Sequence, residues 1–255
     1  MTRKKNPAPA ELPEVSVSDD GEVRHLHLGT PWIQGSMRIA EPFAIELEYV
    51  QRMMAWLLFV PPESVSKRNA MQLGLGAGAI TKFCHKALRM RTTAVELNPH
   101  VVGVCRAWFK LPPDGPRLGV VLADAAEYIR RPELAGTVDA LAVDLYDHEA
   151  AAPVLDSAEF YADCRALLTD DGCLTVNLFG RASSYERSLA QMAEAFGEQA
   201  LWAFKPTREG NTVVLAQRTP SRPKRTELQA RAEHIQARWD LPATKWLRVF
   251  KPVAA

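Results

Sequence analysis

The chain has 255 residues, of which 47% are hydrophobic and 24% charged, an ordinary balance for one large or two small globular domains. Its formal net charge is +1, so no strong electrostatic attraction to nucleic acid or to a membrane surface is expected. The most apolar stretch, 53–60, is far shorter than the ~20 residues needed to span a bilayer. These properties predict a soluble, cytoplasmic protein with no nucleic-acid or membrane partner.

The cysteines do not form a metal-binding pattern. There are four of them, and none belongs to a Cys-x-x-Cys pair. They are Cys84, Cys105, Cys164 and Cys173. Each lies in an apolar or helical context, so we expect reduced core thiols rather than disulfides or zinc ligands. The sequence predicts no metal site.

The N-terminal part of the chain predicts an arm followed by a small β region. Residues 1–14 are rich in proline, alanine and charge, which predicts a disordered arm. Residues 15–40 contain short alternating apolar segments around Asp19-Asp20-Gly21, which is a hairpin turn signal. We therefore predict a small N-terminal β-hairpin region over 15–40.

A long helix is predicted next. It opens at Glu41-Pro42 and runs to Phe59, because apolar residues recur in it at helical spacing. Gln34 before this helix and Tyr49 within it both precede the next strand of the chain. Both side chains are placed to overhang the C-terminal edge of that strand, where they are candidate ligand contacts.

From residue 70 onward, apolar strand segments alternate with helical segments. Strands are predicted at 70–75, 92–96, 118–122, 139–144 and 173–178. Helices are predicted at 79–89, 99–109, 124–131, 157–168 and 184–196. Such alternation predicts a parallel sheet with helices on both faces. In these sheets, ligands bind beyond the C-terminal ends of the strands.

The remaining strands indicate which α/β fold this is. Two segments near 202–205 and 212–217 flank a turn, so one strand of this hairpin is antiparallel to the others. This predicts an α/β, methyltransferase-like Rossmann fold with a seven-stranded mixed sheet, preceded by the small N-terminal β region. We place this nucleoside-binding domain at 41–219, followed by a C-terminal helix and tail at 220–255.

A glycine-rich turn joins the first of these strands to its helix. Gly74, Gly76 and Gly78 alternate along it, and glycine allows a tight turn with close approach of backbone N–H groups to a ligand. The helix that follows begins with free N–H groups, which suit a polar or anionic group. Glu96 ends the next strand about 20 residues later, where such folds place a carboxylate for ribose hydroxyls. The pattern indicates a nucleoside site.

Acidic residues follow two later strands. Asp124 starts a helix, so it is a candidate helix cap and equally a candidate acceptor for an adenine amino group. Asp144-Leu-Tyr-Asp147 follows a buried strand, where a general base or a cation-binding group is expected. Two acids so close repel, which raises one pKa, and both attract a cationic substrate.

The order of these motifs resembles a known family. Over roughly residues 20–218 the chain is similar to the aminopropyltransferases, the spermidine synthase family. The motifs that carry the resemblance are Gly74-Leu-Gly-Ala-Gly78, Val95-Glu96, Leu122-Ala-Asp124, Asp144-Leu-Tyr-Asp147 and Phe160-Tyr161. The resemblance implies transfer of an aminopropyl group from decarboxylated S-adenosylmethionine to an amine such as putrescine, with release of methylthioadenosine.

The resemblance also implies roles for individual residues. It implies Glu96 as the ribose ligand, Asp124 as the adenine ligand and Asp144 as the base that takes a proton from the attacking amine. Gly74, Gly76 and Gly78 would line the donor site.

For the amine side, the resemblance implies contacts at Asp147 and Tyr146. Gln34 matches a family glutamine near the nucleoside, and Tyr49 matches a family tyrosine. The family also implies a homodimer and a small-molecule amine partner.

Other functions stay open at two departures from the family pattern. Ala77 stands where the family usually has an aspartate for the donor ammonium, and Thr207-Arg208-Glu209-Gly210 replaces a Tyr-Pro-Ser-Gly segment. One alternative is an S-adenosylmethionine-dependent methyltransferase, and another is a non-catalytic nucleoside-binding homologue. The glycine pattern also satisfies a dinucleotide-binding motif, but the terminal strand hairpin and Asp124 argue against NAD.

Overall fold

The computed structural model describes residues 12–145, 155–179 and 182–254. It begins with a three-stranded antiparallel sheet, which confirms the predicted N-terminal β region. Its strands are β1 (Val15–Asp20), β2 (Val23–Leu28) and β3 (Ile33–Arg38). The third strand completes this sheet within the predicted region 15–40, and it places Gln34 near its start.

The predicted long helix over 41–59 is wrong in its extent. The α-helix α1 covers only Glu48–Arg52, and Met53–Phe59 forms a 3₁₀ helix, followed by a second one at Pro62–Lys67. Every side chain from 53 to 58 is buried. Because that segment has no polar face, packing rather than α-helical amphipathicity decides its backbone conformation.

An eight-stranded mixed sheet forms the centre of the molecule. Its strands are β4 (Asn69–Leu73), β5 (Arg91–Glu96), β6 (Leu118–Leu122), β7 (Val138–Val143), β8 (Leu168–Phe179), β9 (Leu201–Phe204), β10 (Asn211–Gln217) and β11 (Phe250–Pro252). They lie in the order β11-β9-β10-β8-β7-β4-β5-β6. The five strands β4 to β8 are mutually parallel, and β10 runs antiparallel to β8 and β9.

This sheet confirms the predicted mixed sheet and adds one strand to the seven expected. The addition is β11, which pairs with β9 at the edge. It comes from the C-terminal segment and has only three residues, too few for a recognisable strand pattern in the sequence.

The helices cover both faces of the central sheet. They are α2 (Ala79–Lys86), α3 (Pro99–Trp108), α4 (Ala125–Ile129), α5 (Ala158–Leu167), α6 (Ala182–Phe196), α7 (Arg225–Trp239) and α8 (Ala243–Val249). Side-chain oxygens of Asn98, Asp124 and Ser157 cap α3, α4 and α5. Within the described ranges, no helix has the length and apolar character needed to cross a membrane.

Apolar cores lie on both faces of β4 and hold the sheet between its helices. On β4, Ala70 packs into the core that contains Trp56, whereas Met71 and Leu73 pack into the core that contains Tyr161. All four cysteines are buried free thiols. Because β4 is buried on both faces, its C-terminal end is held firmly, and the glycine-rich turn starts from a rigid support.

Candidate active site

A large cavity lies at the C-terminal ends of the parallel strands, between the central sheet and the N-terminal sheet. Its volume is about 850 Å³, within the range of small-molecule sites. It is lined by β3, by α1, by residues at the C-terminal ends of strands β4 to β8, and by the hairpin between β9 and β10. The cavity therefore lies where the sheet topology predicts a ligand site.

The strand order brings the glycine-rich turn and Asp144 together. Since β4 pairs with β7 on one side and β5 on the other, the residues after β4 and β7 are neighbours. The N–H of Asp144 donates to the carbonyl of Leu73 at 3.0 Å. A Cβ atom at Gly74, whose φ is +83°, would overlap the carbonyl oxygen of Asp144. Position 74 therefore requires glycine, because the positive φ disfavours other residues and because a side chain would clash with Asp144.

Glu96 is held by backbone groups on both sides. One carboxylate oxygen accepts from the N–H of Leu75 at 2.8 Å, and the other accepts from the N–H of Asn98 at 2.8 Å. The side chain is half-buried and lines the cavity. The glycine-rich turn and the end of β5 therefore fix the orientation of the Glu96 carboxylate.

Asp124 is both a helix cap and a cavity residue. One of its oxygens, Oδ1, accepts from the N–H of Glu127 at 3.1 Å at the start of α4. The side chain is exposed, and it lines the cavity on the same side as Glu96. The cap thus presents a carboxylate to the cavity.

Asp144 lies at the centre of a polar network. The hydroxyl of Tyr49 donates to its Oδ2 at 3.2 Å, and the amide of Asn177 donates to its Oδ1 at 2.9 Å. Burial raises the pKa of Asp144, while the hydrogen bonds from Asn177 and Tyr49 act in the opposite direction. A carboxyl with a raised pKa is a better proton acceptor than an ordinary aspartate.

Two asparagines in this network were missed by the sequence analysis. Asn177 lies on β8 and is 4% exposed, and its Oδ1 accepts from the amide of Asn211 on β10 at 3.1 Å. A polar residue within an apolar strand is a signal that could have identified Asn177. Asn211 could not be found in this way, because its role depends on the pairing of β10 with β8.

Gln34 also lines the cavity. Its Nε2 atom is buried and has no hydrogen-bond partner among the described residues. A buried amide without a partner costs free energy, on the order of 1–3 kcal/mol. A bound ligand that accepts from this amide would remove the cost, which makes Gln34 a candidate ligand contact.

The hairpin between β9 and β10 presents an acid to the cavity. Glu209 lines it, whereas the neighbouring Arg208 is exposed and is not part of the lining. Glu46 and Glu48 also line it, but Arg38 and Arg52 pair with them. Glu209 has no ion-pair or hydrogen-bond partner in the described parts of the chain. The hairpin therefore contributes a negative rather than a positive charge.

Two of the predicted amine contacts, Tyr146 and Asp147, lie outside the described residues. The other predicted site residues line one cavity, except Gly78, which starts α2 behind the turn.

Ala77 is 3% exposed and packs against Gly35 of β3. A Cβ atom on Gly35 would lie 2.7 Å from that of Ala77, so the close packing of β3 on the glycine-rich turn requires glycine at position 35.

Comparison with known proteins identifies the family. The chain is 32% identical to the polyamine aminopropyltransferase of Neisseria meningitidis serogroup A over 251 residues, which covers 98% of this chain and 93% of that protein. The chain belongs to the polyamine aminopropyltransferase family. As a member of that family it is a transferase.

Solved structures show the same fold at lower sequence identity. A probable spermidine synthase from Corynebacterium glutamicum superposes with a TM-score of 0.76 at 19% identity, covering 94% of this chain and 88% of that one. Human methyltransferase-like protein 13, in complex with SAH, gives 0.68 at 23% identity, covering 76% and 93% respectively. These neighbours confirm the methyltransferase-like fold. No protein-family model matches the sequence.

The described residues contain no cluster of three or more His, Cys, Asp or Glu side chains that could hold a metal ion.

Proposed function

We propose that this aminopropyltransferase-family protein transfers an aminopropyl group from decarboxylated S-adenosylmethionine to an amine acceptor such as putrescine, releasing methylthioadenosine. The single observation that supports it most is the Asp144 carboxylate, held by Tyr49 and Asn177 beside the glycine-rich turn. A base is needed there because an ammonium group cannot attack carbon until it loses a proton.

The nucleoside would occupy the half of the cavity that Glu96 and Asp124 line. Glu96 would accept from the ribose hydroxyls, since its two backbone donors already fix its orientation. Asp124 would accept from the adenine amino group. Gly74 and Gly76 would let the donor approach the backbone closely, and Gln34 would contact the nucleoside end.

The reaction then follows from the position of Asp144. The acceptor ammonium gives a proton to Asp144, and the free amine attacks the methylene carbon next to the sulfonium. A new C–N bond forms as the C–S bond breaks, and its electron pair stays on sulfur as a neutral thioether. The product leaves as a secondary ammonium, and Asp144 releases the proton that it took to solvent. Much of the remaining rate enhancement comes from positioning the two substrates in line.

The amine half of the cavity suits a cation. Glu209 offers an unpaired carboxylate in the described structure, and Tyr49 lies against Asp144. The predicted contacts Asp147 and Tyr146 belong to the same proposal, as does the homodimer expected from the family resemblance. The negative charge of these groups would attract a diamine and hold its ammonium ends.

A second candidate is an S-adenosylmethionine-dependent methyltransferase. Ala77 offers no carboxylate to a donor ammonium, and it is buried against Gly35 of the N-terminal sheet. The buried Nε2 of Gln34 is a donor that would suit the carboxylate of intact S-adenosylmethionine. Both features favour a donor that keeps its carboxylate.

Donor binding separates the two candidates. Calorimetry on the full chain would compare decarboxylated S-adenosylmethionine, S-adenosylmethionine and methylthioadenosine, and mass spectrometry would follow putrescine with each donor. We expect tighter binding of the decarboxylated donor and a product heavier than putrescine by one aminopropyl group. Tighter binding of S-adenosylmethionine, with a methylated product, would replace the first candidate by the second.

A further inference from the structure

Three side chains from separate strand ends form a continuous hydrogen-bonded line beside the cavity. Asn211 at the start of β10 donates to Asn177 on β8 at 3.1 Å, and Asn177 donates to Asp144 after β7 at 2.9 Å. Asn177 is nearly completely buried, so its amide is held by these neighbours rather than by solvent. A buried polar chain of this kind rigidifies the groups that it contains.

The chemistry of the groups fixes the direction of the line. An ionised carboxylate only accepts hydrogen bonds, so Asn177 must turn its NH₂ group toward Asp144. Its carbonyl oxygen then faces Asn211, which must donate. The backbone of Asn211 is fixed in turn, because its N–H donates to the Thr207 hydroxyl at 3.2 Å and its carbonyl accepts from the Thr207 N–H at 2.7 Å.

We propose that Asn177 and Asn211 act as a relay of two positioning residues, which orients the Asp144 carboxylate and keeps it in its proton-accepting form. Asn177 contacts the base directly, and Asn211 sets the orientation of the Asn177 amide. The inference rests on the proposed function in one respect: it treats Asp144 as the base of that reaction.

The relay counters the effect of burial on Asp144. Burial disfavours its ionised form, whereas the hydrogen bonds from Asn177 and Tyr49 favour that form. The ionisable groups that line this cavity in the described structure are Tyr49, Glu46, Glu48, Glu96, Asp124 and Glu209. Of these, Tyr49 donates to Asp144 and assists the relay. Removing Asn177 should therefore shift the titration of Asp144 to higher pH.

The titration of Asp144 can be measured without turnover. The full chain would be labelled with ¹³C at aspartate carboxyl groups, and the Asp144 signal identified by its loss in Asp144→Asn. We expect Asn177→Leu to raise the titration midpoint by about one to two pH units, the value of one hydrogen bond to a charged group. Asn211→Ala should raise it by roughly half a unit, because it acts through Asn177.

The double variant tests the relay itself. If Asn211 acts only through Asn177, then Asn177→Leu/Asn211→Ala should match Asn177→Leu to within about 0.3 units. The matched control is Thr175→Val, a buried polar residue on the same face of β8 that does not contact Asp144. Its midpoint should equal that of the unmodified chain. Additive shifts, or no shift in Asn177→Leu, would overturn the proposal.

Turnover gives a second readout that separates this inference from the proposed function. The acid limb of the kcat profile should move with the NMR midpoint in each variant. If the unmodified chain shows no aminopropyl transfer at any pH but the NMR shifts occur, the proposed function fails and the relay stands. If Asn177→Leu does not fold, the titration of Asp144 in Asn211→Ala tests the proposal by itself. An unchanged titration midpoint in that variant would reject the relay.

Discussion

The two halves of the cavity, which we propose hold the nucleoside and the amine, are built in different ways. In the nucleoside half, the backbone N–H groups of Leu75 and Asn98 hold Glu96. Asp124 caps α4, the helix that begins directly after it. In the amine half, side chains from α1, β8 and β10 converge on Asp144. The comparison teaches that the first half depends on local backbone geometry, whereas the second depends on how distant elements pack.

The halves meet at the glycine-rich turn. Gly74 lies against the carbonyl of Asp144, while Leu75 donates to Glu96. One short turn therefore contacts both the predicted base and the predicted ribose ligand. This arrangement predicts that substitutions can separate nucleoside binding from catalysis, and the following variants test that separation.

The largest expected effect is that of Asp144→Asn on turnover. The amide keeps the shape of the side chain but cannot accept the proton, so methylthioadenosine release should fall about 10³-fold. Binding of methylthioadenosine, measured by calorimetry, should change by less than about 3-fold, since Asp144 lies in the amine half.

The control for this variant is Asp139→Asn on the same strand. Asp139 lies at the opposite end of β7 and accepts from Arg68 and from the N–H of Asn69. The Asp139→Asn variant should be less stable than the unmodified chain but should keep the same turnover per folded molecule. If Asp144→Asn retained turnover, Asp144 would not be the base.

Glu96→Gln should weaken nucleoside binding and spare the chemical step. The amide can accept from only one of the two N–H groups that face Glu96, and it loses the charged contact to ribose. A hydrogen bond to a charged group is worth about 1.5–3 kcal/mol, so the Kd of methylthioadenosine should rise about 10–150-fold. A drop in kcat at saturating donor with an unchanged Kd would contradict the division into halves.

Glu209→Gln should have a smaller effect, confined to the amine. An exposed ion pair contributes up to ~1 kcal/mol, so the KM of the amine should rise up to about 5-fold with kcat unchanged. Because salt screens exposed charges, the difference should shrink as ionic strength rises. Arg208→Gln, one residue away and outside the cavity lining, is the matched control and should leave KM unchanged.

The smallest expected effect is a gain in stability of Asp144→Asn. A carboxyl whose pKa is raised on folding binds more protons when folded, so its contribution to stability falls as pH rises through that pKa. Removing the charge should raise the Tm by a few degrees near neutral pH. Thermal unfolding followed across pH should show this gap closing as the medium becomes acidic. A lower Tm for Asp144→Asn at neutral pH would contradict this prediction, because it would mean that the Asp144 charge does not destabilise the folded protein.

Several features followed from the sequence because they are local. Gly74 must adopt a positive φ at a strand-to-helix turn, and Asp124 must cap the helix that it precedes. Glu96 and Asp144 both end apolar strands, and residues there meet at one edge of a parallel sheet. Each of these features depends on residues within a few positions along the chain, so the sequence was enough to predict it.

Packing between distant elements decided the rest. The sequence could not show that Tyr49 would reach Asp144, that Asn211 would orient Asn177, or that Glu209 rather than Arg208 would face the cavity. The buried segment 53–58 likewise took a 3₁₀ rather than an α-helical form. The family motifs thus indicate the nucleoside half from sequence alone. The environment of the base arises only when the strands pair, because its contacts join residues that are far apart in the chain.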